Sequence, residues 1–373
     1  MATPRVVGDA LDARRGARAT SARVAHYGRA FDCAFAPWGR RASDSSSAWD
    51  EIIVTCGEDA TARVHGVDAR DASARTLATC RAHREEVVRV AFARASGRFA
   101  TGSADGTCKV WDFDARERVV REAQSLDGHP GEVYGCCFLG DGDGGVVATC
   151  SETEARAWDV ERGTTTAKTA PRDDLGTSGA RTPERWSPGY LFSMARGDGV
   201  LACGCSDGVV RVYGDGSSGT FGERVAEVTA HPNAIVGSTS FIDGGRVLCS
   251  VGLDGTVVLT DVRTWGIFRR ISAGSTLTSA CGVGSGSWLA MVGESGVVRA
   301  IDAIGDASSS AQCVFEPKGE PVPLFCVAAN ESGTMLACSG AGVPSSAPTL
   351  GATFGTKTPD PSRLDVWMAS SEA

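Results

Sequence analysis

Three sets of side chains in this sequence carry the ingredients of nucleophilic catalysis. His26 shares a stretch with Thr55 and Asp59, His83 with Thr101 and Asp105, and His231 with Ser250 and Asp254. A hydroxyl, an imidazole and a carboxylate in series can activate an oxygen nucleophile. Here the set comes three times over, and an enzyme needs it once. Repetition therefore argues for a structural use, and no catalytic residue is assigned. Apart from His26 and His65 in the first unit, the histidines fall one to a unit, and no pair has ligand spacing, so no metal site is expected. Gly282-Val283-Gly284-Ser285-Gly286 lacks the Lys-Ser/Thr and the helix that a phosphate loop needs, and reads as a hairpin turn. No cofactor is expected.

The elements that position these residues recur as well. Ala100-Thr101-Gly102-Ser103-Ala104-Asp105-Gly106-Thr107-Cys108-Lys109-Val110-Trp111-Asp112 is a short apolar strand, a tight Asp-Gly turn and a second apolar strand. Variants occupy 53–59, 201–208 and 248–255. A repeat of some tens of residues means stacked units, none of which can bury its face alone.

Composition narrows the function classes. The chain has 373 residues, of which 42% are hydrophobic, enough for a large core. A net charge of −8 disfavours non-specific binding to nucleic acid or anionic lipid. No apolar run reaches the ~20 residues of a membrane span, and no secretory signal is expected at the N-terminus. Of 14 cysteines, most lie inside apolar strand segments, such as Cys33, Cys56, Cys136, Cys203 and Cys326, and no C-x-x-C pair occurs. Free thiols pack there as small hydrophobes. This predicts a reducing compartment, cytoplasm or nucleus.

The repeats resemble those of the WD-repeat (WD40) β-propeller family. Ala82-His83, Asp105-Gly106 and Trp111-Asp112 mark the second unit, and Gly128-His129 with Trp158-Asp159 the third. The first runs from Ala25-His26 through Asp59, with His65 where Trp is usual. Later units have drifted: Asp207 and Tyr213 in the fourth, His231, Ser250, Asp254 and Thr260-Asp261 in the fifth, Ile301-Asp302 in the sixth, Leu364-Asp365-Val366-Trp367 in the seventh. The Trp-equivalent positions 65, 111, 158, 213, 260, 301 and 367 lie roughly 41 to 66 residues apart.

The resemblance implies an all-β, seven-bladed propeller over residues 18–369, its last blade closed by an N-terminal strand within Arg18 to Ala25. Residues 1–17 and 370–373 are expected as tails, and loop insertions near 40–48, 163–185, 214–222 and 340–362. It also implies that His26, Thr55, Asp59, His83, Thr101, Asp105, Trp111, His129, Trp158, His231, Ser250 and Asp254 form buried hydrogen-bond networks rather than active sites.

Family members usually dock partners on one rim of the central channel. Spacing from the histidines puts Arg29, Phe31, Glu86, Val88, Glu132 and Tyr134 there, with Phe192, Phe325 and the turn residues Glu58, Ala104 and Glu152. Aromatic anchors among carboxylates suit a basic peptide or protein segment. The expected function is a non-catalytic scaffold or adaptor that binds other proteins in a multi-subunit complex. One alternative is a substrate receptor of a cullin-RING ubiquitin ligase, for which Thr260-Asp261-Val262-Arg263 keeps the Asp and Arg of the recognition box but lacks its Trp. Another is a subunit of an RNA-processing or RNA-modifying complex. No aromatic-basic platform supports direct RNA binding.

Overall fold

The repeated apolar runs fold as strands, and the Asp-Gly turns as hairpins. A computed structural model describes residues 18–22, 26–37, 49–68, 73–169, 189–217, 219–305, 312–315, 321–341 and 363–368. β1 (Arg18–Ala22) precedes a first sheet of β2 (Ala30–Phe35), β3 (Glu51–Gly57), β4 (Ala62–Val67) and β5 (Ala74–Cys80). The second holds β6 (Val87–Phe92), β7 (Arg98–Ser103), β8 (Cys108–Asp114) and β9 (Val119–Leu126). The third holds β10 (Val133–Phe138), β11 (Val146–Ser151), β12 (Glu154–Asp159) and β13 (Thr164–Lys168). Next come β14 (Leu191–Arg196), β15 (Val200–Cys205), β16 (Val209–Gly214) and β17 (Arg224–Thr229). The fifth is β18 (Val236–Ile242), β19 (Val247–Gly252), β20 (Thr256–Asp261) and β21 (Gly266–Ser272). The sixth is β22 (Leu277–Gly282), β23 (Trp288–Gly293), β24 (Val298–Asp302) and β25 (Gln312–Phe315). The last pairs β26 (Leu324–Ala329), β27 (Met335–Gly340) and β28 (Arg363–Met368), and β1 lies antiparallel to β28 with Arg18 opposite Met368.

Every sheet runs in chain order apart from the last, which β1 joins beside β28, and the first strand of each touches the first strand of the next sheet; β26 in turn touches β2. Hydrophobic clusters fill each junction between neighbouring sheets. One of them joins Cys326, Met335, Ala337 and Leu364 to Cys33, Phe35 and Ile53, from the last sheet to the first. Second strands are largely buried because both their faces are covered; β19 and β23 are buried at every residue. Outermost strands are half exposed, as in β21, where burial alternates. The tight turn of the second sheet needs Gly106, which sits at φ 78° in the left-handed region while Ser103 N–H donates to Thr107 O at 3.1 Å.

One expected insertion is shorter than the sequence implied, and another falls where it was expected. Thr164–Lys168, placed in the loop 163–185, is β13, in register with Arg156–Asp159. An outermost strand has no fully buried face, so its Thr-rich run carries no apolar signal. Gly214 to Gly222 is the connection between β16 and β17, closed by Gly214 N–H to Glu223 O at 2.8 Å. The insertion at 40–48, residues 170–185, 342–362 and both tails lie outside the described residues. The sole helical turn among the described residues is Asp243–Gly245. No helix in that set is long and apolar enough to cross a membrane.

Candidate functional site

The repeated His sets assemble as hydrogen-bond chains that tie the loop before each first strand to the hairpin beyond it. His26 Nδ1 lies 2.8 Å from Asp59, and Nε2 2.8 Å from Thr55 Oγ1. The second sheet repeats this, with His83 3.1 Å from Asp105 and 2.8 Å from Thr101. So does the fifth, with His231 3.2 Å from Asp254 and 3.0 Å from Ser250. A carboxylate only accepts, so Nδ1 carries the proton and Nε2 receives the hydroxyl. Trp111 Nε1–H then donates to Thr101 Oγ1 at 2.9 Å, using the oxygen's other side. Thr55, Thr101 and Ser250 are all buried. These hydroxyls are closed to solvent and each is paired with its histidine, which is how buried polar groups persist.

Two sheets vary the theme. The third has no Asp at the turn, and His129 Nδ1–H donates instead to Gly106 O at 3.1 Å, while Thr149 links His129 to Trp158 at 2.8 Å each. In the first, His65 replaces the indole. Its Nε2 lies 2.9 Å from Thr55 Oγ1, and its Nδ1 3.2 Å from Thr76 Oγ1. With Thr55 donating to His26, His65 must donate through Nε2–H and accept at Nδ1. Burial holds the His65 imidazole down to about 3, and burial with nearby Arg156 holds His129 at about 4. Burial alone would raise Asp105, but hydrogen bonds from Thr107, the Arg84 N–H and His83 outweigh it and bring the carboxyl to about 2.

The residues expected on the rim share one backbone device. Each first strand is irregular at the same place, its register slipping by one residue between Ala30 and Asp32, Val87 and Arg89, Val133 and Gly135, Leu191 and Ser193, and Leu324 and Cys326. The skipped residues are Phe31, Val88, Tyr134, Phe192 and Phe325, the positions singled out by spacing from His. In the fifth and sixth sheets they are Gly237 and Thr278. A bulge leaves its residue out of the ladder and re-aims the side chain. The four aromatics meet in two pairs: Phe31 with Phe325, centroids 5.9 Å apart, and Tyr134 with Phe192 at 4.7 Å.

Carboxylates surround them. Glu58 accepts from Arg29 N–H at 2.9 Å and Nε–H at 3.1 Å, which pulls its carboxyl below the usual range. Glu132 accepts from the Tyr134 hydroxyl, and burial and that neighbour raise the phenol. Glu152 stands exposed at its turn with φ 49°. Glu86 lies 3.9 Å from Arg29.

Sequence reasoning missed the group that joins these bulges. Arg89 Nε–H donates to Tyr134 O at 3.1 Å and Nη2–H to Phe192 O at 3.2 Å, two carbonyls at the bulges. Its Nη1 is 3.8 Å from Asp32, and Asp32 accepts from Val90 N–H at 2.9 Å. One guanidinium thus links first strands of four sheets. The signal was a charge just after the bulged residue in each apolar run, Phe31-Asp32-Cys33 and Val88-Arg89-Val90. Elsewhere, Arg263 is exposed and paired with Asp261 at 2.8 Å, and buried Thr260 holds the Trp position beside it.

Four-stranded sheets in chain order, packed face to face with their first strands inward, define an all-β propeller. Residues 74–112 and 121–159 match the family model described as WD domain, G-beta repeat. Each match starts in the outermost strand of one sheet and ends in the third strand of the next. The chain thus carries two WD repeats within a propeller-like arrangement of sheets. It is similar to the guanine nucleotide-binding protein subunit beta-1 of Drosophila melanogaster, 27% identical over 127 residues, 34% of this chain and 33% of that protein. The match therefore spans about a third of the relative's length.

Proposed function

We propose that this protein is a non-catalytic interaction scaffold, and that its channel face grips a basic segment of a partner protein within a larger complex. The observation that carries the reading is the conjunction at the channel mouth: four aromatic side chains displaced by bulges, with Glu58, Glu86, Glu132 and Glu152 beside them. Rigid aromatics supply contact area at low entropic cost, and surrounding carboxylates favour Lys and Arg. The propeller is read as seven blades closed by β1. The seven four-stranded sheets, the β1–β28 pairing and the cluster joining last sheet to first support that reading. The buried hydroxyls of the His networks, each paired with its histidine, support a scaffold rather than an enzyme. Arg263 is engaged by Asp261, and nothing about it favours ligase recruitment over the scaffold reading.

Charge reversal tests the acidic face. Glu86→Lys/Glu132→Lys is expected to abolish recovery of bound partners in quantitative affinity capture while leaving circular dichroism unchanged. Undiminished recovery would remove the acidic face from the account.

A further inference from the structure

The two aromatic pairs at the channel mouth are not equivalent. The Phe31–Phe325 pair already carries a guanidinium: Arg29 Cζ lies 5.1 Å from the Phe31 centroid. The same group meets Glu58 through two nitrogens, Nε at 3.1 Å and Nη2 at 3.4 Å, with Glu86 at 3.9 Å. A flat cation lying on an aromatic face while its two donors engage one carboxylate is the geometry that recognises arginine and that an ammonium cannot reproduce. The backbone is shaped for it. Gly28 takes φ +98°, and a Cβ there would come within 2.6 Å of the Glu58 carboxylate. The Tyr134–Phe192 pair differs, because among the described residues no cation pairs with Glu132 or Glu152.

The Arg29 contact is held loosely. Arg29 is 48% exposed and Glu58 and Glu86 are 38% and 42% exposed, so solvent screens the contact and it is weak. A partner's arginine offering further contacts along the rim can displace it.

We infer that Arg29 is an internal occupant of an arginine-binding subsite formed by Phe31, Glu58 and Glu86, and that it competes with the arginine of a docking segment. The inference rests on the proposed function and adds two things to it: the recognised side chain is arginine rather than lysine, and the site is gated from within. Its consequence runs against ordinary mutagenesis, since deleting a contact residue at the site should strengthen binding.

Fluorescence anisotropy with labelled hexa-arginine and hexa-lysine peptides, on the full chain at low ionic strength, tests this. Arg29→Ala should tighten hexa-arginine binding about three- to tenfold and hexa-lysine binding less. Adding Glu58→Gln should cancel the gain. Arg246→Ala, which removes the same charge on the opposite face, should leave the affinity where it was. Should Arg29→Ala weaken binding, or match the Arg246→Ala control, the gate is wrong while the docking face stands. Should wild type, Arg29→Ala and Glu86→Lys/Glu132→Lys all bind hexa-arginine equally or not at all, the docking face fails and the subsite with it.

Discussion

Asp105 shows how one side chain can hold a hairpin. It accepts from His83, from Arg84 N–H at 3.0 Å and from Thr107 N–H at 3.0 Å. Asp105→Ala leaves those donors unpaired, and a loss of about 1–3 kcal/mol is expected. An unchanged thermal midpoint would mean that the network does not hold the hairpin. The histidines add a pH dependence with a definite sign. His65 titrates near 3 in the folded chain against an ordinary 6.5, and burial lowers His83, His129 and His231 too. Below pH 6.5 the unfolded chain gains protons that the folded chain refuses, so stability falls with pH through that window and is fully present above it. For His65 alone the loss is about 2 kcal/mol between pH 6.5 and 5. His65→Trp restores an indole N–H to Thr55 and removes the titrating group. Melts at pH 7 and pH 5 should then show a smaller acid loss than wild type; equal losses would contradict the assignment.

The first strand of each sheet is the element that turns sequence into a surface. Its bulge pushes Phe31, Tyr134, Phe192 and Phe325 out of the ladder, and Arg89 caps the carbonyls of two of them while facing Asp32. Arg89→Met would strand a buried carboxylate, at a cost on the order of 3 kcal/mol. Asp32→Asn/Arg89→Met should recover part of that, and a double variant no better than the single would show that the pair is not coupled. Phe31 and Tyr134 were legible because they stand five residues after His26 and His129, and Phe192 and Phe325 because they hold the matching place in units that lack the His. The bulge was not, since register is a property of two strands and no residue type marks it. Asp32 and Arg89 passed as ordinary exceptions in apolar runs, because their partners lie in other sheets, up to 103 residues away. Thr164–Lys168 was missed for the opposite reason: an outermost strand buries little and so carries no apolar pattern.

At the scale of the molecule, stability resides between sheets and not in one central core. Each hydrophobic cluster needs two neighbours, so a missing junction costs more than the contacts it holds. Deleting residues 1–22 removes β1 and bares the edge of β28. The expected results are a lower thermal midpoint and concentration-dependent dimers in light scattering, as strand edges pair between copies. A monomer with an unchanged midpoint would mean that β1 closes nothing. Affinity purification with quantitative mass spectrometry, comparing wild type with folded Tyr134→Ala/Phe325→Ala, bears most directly on the scaffold reading. A small set of partners lost only from the variant is the predicted result; the same partners recovered from both proteins would contradict docking at the channel face.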